Sequence, residues 1–183
     1  MPPPLQLLIR DIHSLPQNDA TAIIEHIIRL EKRTFPPSEA YEFTLDLWKK
    51  KPNTRVIYAK LAEIQSPPTL AETRKLANTA TTNNSTNAIA YAVYVRIKGT
   101  ALLHKVCVSE PHRGRGVGGQ LMAYIEQRLR REGCQRVQLW VDKERVVARR
   151  LYARCGFEEL ESVEDYYGIG RTGIKMVLEL GRG

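Results

Sequence analysis

Between Arg113 and Gly119 the chain reads RGRGVGG, four glycines and two arginines in seven residues. Backbone this bare is costly inside a helix or a strand, so the stretch must turn. Its flanks say what it joins. ALLHKVCVS (101–109) before it reads as a strand. After it, Leu121, Tyr124, Ile125 and Leu129 mark one face of a helix that ends near Gly133. A strand, a glycine turn and a helix in that order leave backbone N–H groups free at a helix N-terminus, where partial positive charge gathers. Arg113 and Arg115 add forked donors at the edge. Such a unit needs a sheet with helices packed on it, and it offers a site to an anion, best a phosphate.

The rest of the chain supplies that sheet. Residues 5–13, 55–63, 88–99, 101–109 and 136–142 read as strands, with a tight turn at Lys98-Gly99 between the third and fourth. Ile23, Ile24, Ile27 and Ile28 give one face to a helix over 19–32. Pro36 and Pro37 stop it, and Ser38 can cap a second helix running to about Lys50. Residues 144–155 form a helix stopped by Gly156, and FEELESVED and GIKMVLEL make two last strands. The stretch 65–87 is polar and rich in Thr, Asn and Pro, and reads as a long inserted loop. The class is therefore α/β or α+β, one domain over 1–183 with a mixed sheet.

Composition narrows the function. A formal charge of +8 suits an anionic partner: a phosphate-bearing cofactor, nucleic acid or an acidic surface. Cys107, Cys134 and Cys155 are odd in number and form no CxxC pattern, so a structural metal is not expected. Reduced thiols fit a cytoplasmic or nuclear protein. No long apolar run suggests a leader or a membrane span, so no membrane partner is expected.

Three phosphate motifs compete for the glycines. Gly114, Gly116 and Gly119 spell a dinucleotide GxGxxG, with Asp142 at the end of the next strand. That fingerprint normally opens its domain, and only about 65 residues follow here. A P-loop fails for want of Gly-Lys-Ser/Thr. The third pattern is Arg-x-x-Gly-x-Gly at Arg113, Gly116 and Gly118. With Val106-Cys107-Val108 before it, this stretch resembles the acetyl-CoA loop of the GNAT superfamily of N-acetyltransferases. VDKERVVARRLYARCGF (141–157) is similar to that superfamily's second signature, which ends in Leu-Tyr-x-x-x-Gly-Phe. Both signatures stand in the expected order, over a match that is close for 88–180 and looser for 5–63.

The resemblance implies a fold of splayed parallel strands and direct acetyl transfer from acetyl-CoA to a primary amine. It places Val106, Cys107 and Val108 along the pantetheine arm. Arg113, Gly114, Arg115, Gly116, Val117, Gly118 and Gly119 surround the pyrophosphate. Arg145 stands where relatives often have a cofactor-binding Asn. Tyr152 matches the tyrosine that protonates the leaving thiolate; its plain alternative is a core tyrosine. Glu39 and His104 are candidate bases, against a first-turn glutamate and a solvent-facing strand residue. The Tyr and His that some relatives carry on the central strands correspond to Leu102 and Trp140 here.

VEDYYGIGRTGIKM (163–176) resembles the last hairpin of protein Nα-acetyltransferases. Tyr166 and Tyr167 then face the acceptor, with Phe35, Pro36 and Tyr41 on the other wall. A protein N-terminus is the expected acceptor, and a ribosome or an auxiliary subunit is an allowed partner. FPPSEA also resembles a polyamine-acetyltransferase stretch, and Glu158, Glu159, Glu161, Glu164 and Asp165 form an acidic run that suits a polyamine or a lysine-rich tail. The +8 charge and RGRG leave a nucleic-acid-binding module as the non-enzyme alternative. A monomer and a homodimer are both compatible with this pattern.

Overall fold

A computed structural model describes residues 5–43, 53–62 and 87–181. Among them, seven strands form one sheet. In chain order they are β1 (Leu7–Asp11), β2 (Thr54–Leu61), β3 (Ala90–Ile97), β4 (Thr100–Val108), β5 (Arg136–Asp142), β6 (Glu158–Val163) and β7 (Gly173–Glu179), and in space they run β1-β2-β3-β4-β5-β7-β6. Only β4 and β5 pair in parallel; every other pair is antiparallel. The helices are α1 (Gln17–Thr34), α2 (Val117–Arg131) and α3 (Val146–Arg154).

Strand alternation divides the core in two. Ile23, Ile24 and Ile27 of α1 pack on Val56, Tyr58, Tyr91 and Val93. Leu121, Ile125 and Leu129 of α2 pack on the other face, with Ile57, Ala92, Tyr94 and Leu139. Tyr152 of α3 joins that second cluster. Each large apolar side chain buried this way contributes roughly 1.5–3 kcal/mol.

The expected strands and helices form with shifted ends. Pro36 holds Phe35 extended (φ −122°, ψ 144°), so α1 stops at Thr34. Lys98 and Gly99 both take positive φ, 46° and 81°, as a two-residue hairpin turn of this hand requires. The helix expected from Ser38 does not begin there: residues 37–39 form a turn and 40–43 are irregular, while the remainder lies outside the described residues. The inserted loop at 65–87 also lies outside them, apart from Asn87. No helix among the described residues is long and apolar enough to cross a membrane.

Facing β3 and β4, the register slips between Val93 and Tyr94: Val93 opposes Lys105 while Tyr94 opposes Leu103. His104 is thus the extra residue of a bulge. Before it, Ala101 and Leu103 face α2; after it, Val106 and Val108 do. Lys105 and Cys107 are turned toward α1.

A buried ion cluster ties α2 to the first strands. Asp11, 4% exposed, holds Arg128 Nη2 at 2.6 Å and His13 Nδ1 at 2.8 Å. Burial works against its ionisation, but the two His13 hydrogen bonds and Arg128 outweigh it and hold the carboxyl below 3.8. A depressed carboxylate stabilises the fold above its unfolded pKa and loses that contribution as pH falls through the folded value. Asp11→Asn should therefore cost about 3 kcal/mol near neutral pH. In urea melts, the gap from wild type should close as pH falls below 3.8.

Candidate active site

Parallel pairing covers only Thr100–Leu103 against Arg136–Leu139. Beyond it β4 stays bonded to β3 as far as Val108↔Ala90, and β5 stays bonded to β7 as far as Asp142↔Gly173. The bulge bends β4 away, so the two strands part with their inner edges open. A cavity of about 1010 Å³ occupies the gap and extends over the start of α2. Val106, Cys107 and Val108 form one wall, Gly116–Gly119 the floor, and Arg145, Leu151 and Tyr152 the other wall. A smaller hollow of about 370 Å³ beside Arg96 and Glu132, at the far end of α2, has no such strand edge or helix start.

The glycines are there for different reasons. Gly116 caps α2 with φ 77°, which favours glycine. A Cβ on Gly118 would come within 3.1 Å of Leu151 Cδ2, so this glycine lets α3 approach α2. Gly119 has neither reason: its φ is not positive and a Cβ there would meet nothing within 4 Å. A helical glycine costs about 1 kcal/mol against alanine, and this one lines the cavity. The first bond within α2 runs from Gln120 N to Gly116 O, and no side chain caps its amides. The N–H groups of Val117, Gly118 and Gly119 thus front an open space that suits an anion.

Not every expected residue reaches this cavity. Arg113 lines it and donates from Nε to Val108 O at 2.9 Å, which pins the turn to β4. Arg115 is exposed and is absent from the lining, whereas Arg154, which the sequence did not single out, is present. Tyr152 is 8% exposed; burial first and the Tyr167 hydroxyl second push its phenol above 10, so it keeps its proton.

The other candidates gather beside the cavity on two walls. On one, Tyr41 packs on Phe43 (4.9 Å between ring centroids) and lies 6.5 Å from His104. His104 keeps an exposed edge, yet desolvation lowers its pKa from 6.5. On the other, Tyr166 stacks on Trp140 at 4.2 Å, and Tyr167 meets Tyr166 edge-on at 4.9 Å. Burial pushes the Tyr167 phenol up to about 12. Phe35 lines the cavity and also belongs to the first wall, while Pro36 O accepts the Glu39 amide (2.9 Å) and closes the turn.

Glu39 joins the walls. One carboxylate oxygen pairs with Arg145 and the other with Arg171 Nη1 at 2.7 Å. Arg171 also grips Asp142 Oδ2 at 2.5 and 2.8 Å. Asp142 is therefore engaged and not presented to a ribose, and the sheet is not doubly wound, so the dinucleotide pattern has no structural counterpart. The acidic run is partly neutralised: Glu159 pairs with Arg149 at 2.6 Å and Glu161 with Lys175 at 3.4 Å. Among the described residues no group of three His, Cys, Asp or Glu could hold a metal.

The model of the acetyltransferase (GNAT) family matches residues 24–157. The chain belongs to this family. An uncharacterized N-acetyltransferase of Bacillus subtilis is 35% identical over 75 residues, 41% of this chain and 30% of that protein. The matched stretch spans only about a third of the length of the curated relatives. The ribosomal-protein-S18-alanine N-acetyltransferase of Escherichia coli has a TM-score of 0.68 and 17% identity, covering 97% of this chain and 96% of that one. A spermidine/spermine N-acetyltransferase of Vibrio cholerae has a TM-score of 0.65 and 18% identity, covering 96% and 93%. These likenesses establish the GNAT fold.

Sequence reading missed Trp140 as a platform, Arg171 as a bridge and Lys105 altogether. Their contacts join segments far apart in the chain; only the place of Trp140 at the end of a central strand hinted at it. Gly173 makes the Trp140 stack possible, since a Cβ there would sit 2.7 Å from the Tyr166 ring. Gly173→Ala should cost about 1–3 kcal/mol and move Tyr166 off Trp140, read by thermal melting and by the Trp140 indole chemical shifts.

Proposed function

We propose that this GNAT protein transfers acetyl from acetyl-CoA to a primary amine, and that the amine is a protein or peptide N-terminus. Gly119 carries the first half. It is bare although neither its backbone angles nor its neighbours require it, and it fronts uncapped amides at a helix start. A ligand that must approach the backbone explains it, and a pyrophosphate fits. Residues Val117–Gly119 would hold that group, with Arg113, Arg145 and Arg154 around it. Val106–Val108 would offer their open strand edge to the pantetheine arm.

Acetyl-CoA supplies an activated acetyl thioester. This chain's own residues would position the amine and manage protons. Tyr152, still protonated at neutral pH, is the donor for the departing thiolate. His104 is the better base, acting directly or through a water. It is neutral near pH 7 because its pKa lies below 6.5. Glu39, the other candidate, has both oxygens in ion pairs and would have to break one to take a proton.

The two aromatic walls support an extended peptide lying between them. They argue against a polyamine, because Glu31, Glu39, Asp142 and Glu161 each pair with Lys or Arg. The exposed Glu158 and Glu164 at the sheet edge favour the second reading, a polyamine or lysine-rich acceptor. Thiol release measured on peptides with a free N-terminus and blocked lysine, on lysine peptides with a blocked N-terminus, and on spermidine separates these. Turnover confined to spermidine would overturn the N-terminal reading.

Gly119→Ala should leave stability equal or raise it by up to about 1 kcal/mol, yet weaken CoA binding at least several-fold in calorimetry. His104→Gln should lower kcat. In wild type, kcat/KM should fall on the acid side, through a value below 6.5, as His104 gains its proton; the variant should lose that limb.

A further inference from the structure

We propose that Lys105 is the positioning residue of the acceptor wall, acting with Glu31; the inference rests on the amine-acceptor reading above. The bulge at His104 is what aims it. Without that extra residue, Lys105 would share the α2 face with Ala101 and Leu103; with it, the side chain points toward α1. There it is 12% exposed and meets Glu31, 2% exposed, in the last turn of α1, Nζ to Oε1 at 3.1 Å. The same ammonium donates to Glu39 O at 2.6 Å and stands 3.4 Å from the centroid of the Phe35 ring. Glu31 Oε1 also accepts the Tyr41 amide at 2.7 Å. One buried ion pair therefore holds Phe35, Glu39 and Tyr41 in place. Of these, Phe35 lines the cavity, Glu39 reaches its Arg145, and Tyr41 belongs to the aromatic wall.

A buried ion pair contributes little net stability compared with an apolar pair of similar volume, because desolvation offsets the attraction. Its effect here is geometric. Residues 35–43 of the wall lie in no strand or helix; their aromatic side chains rest on the core, and the ion pair adds hydrogen bonds to their backbone at Glu39 and Tyr41. Lys105 touches no reacting atom in this scheme; it sets where the incoming amine lies relative to His104 and the cavity.

The test replaces both charges at once, Lys105→Met with Glu31→Leu, so that neither is left buried alone. The KM for a peptide acceptor should rise on the order of tenfold, while kcat at saturating acceptor and CoA affinity in calorimetry stay near wild type. Exchange of the Tyr41 amide hydrogen should speed up. An unchanged acceptor KM overturns the proposal, and so does a parallel loss of CoA affinity, which would mean general damage. A wild type that neither binds CoA nor turns over any amine would sink the acetyltransferase reading instead. The Tyr41 amide then decides the clip by itself, and unchanged exchange overturns it.

Discussion

Beyond Leu103 and Leu139 the hydrogen bonds between β4 and β5 stop, and the rest of the site depends on that break. A strand bonded on both sides has no free amides to offer. Here each strand keeps its outer partner, β3 or β7, so the sheet stays whole while its centre opens. The extra residue at His104 sits where β4 leaves β5. It bends the strand, turns Lys105 to the α1 face and exposes the Val106–Val108 edge along the cavity.

The opening leads on one side to the start of α2 and on the other to the aromatic walls. Two polar devices border it. Lys105 and Glu31 anchor the inner part of the first wall. Glu39 runs across to Arg145 on the cavity side and to Arg171 on the hairpin between β6 and β7. Arg145 belongs to both halves, since it lines the cavity and reaches Glu39. Segments distant in sequence thereby share charges within a few ångströms, with the Lys105–Glu31 pair buried and the Glu39 pairs open to solvent.

The elements were legible because their signals are local. Isoleucines at helical spacing gave α1, a Lys-Gly pair gave the hairpin, and Leu121, Ile125 and Leu129 gave the buried stripe of α2. Where a local rule misled, a neighbour outside it was responsible. Ser38 has the chemistry of a cap, but it lies in a turn whose Glu39 carbonyl is claimed by Lys105. Arg115 carries the charge of a phosphate ligand, but the left-handed glycines on either side leave it facing solvent.

By itself the sequence determined the strand, bare turn and helix that make an anion site, because glycine freedom and helix polarity act within a few residues. It also carried the Leu-Tyr-x-x-x-Gly-Phe resemblance that makes Tyr152 a candidate proton donor, and the structure puts that residue on the buried face of α3. Only the tertiary structure decided which glycine is bare without a reason of its own, that Glu39 is doubly paired, and that Lys105 bonds both Glu31 and the Glu39 carbonyl. Those facts depend on distances between segments up to 132 residues apart, such as Glu39 and Arg171. Pair distances of that kind follow from sheet order and strand register, which no local pattern encodes.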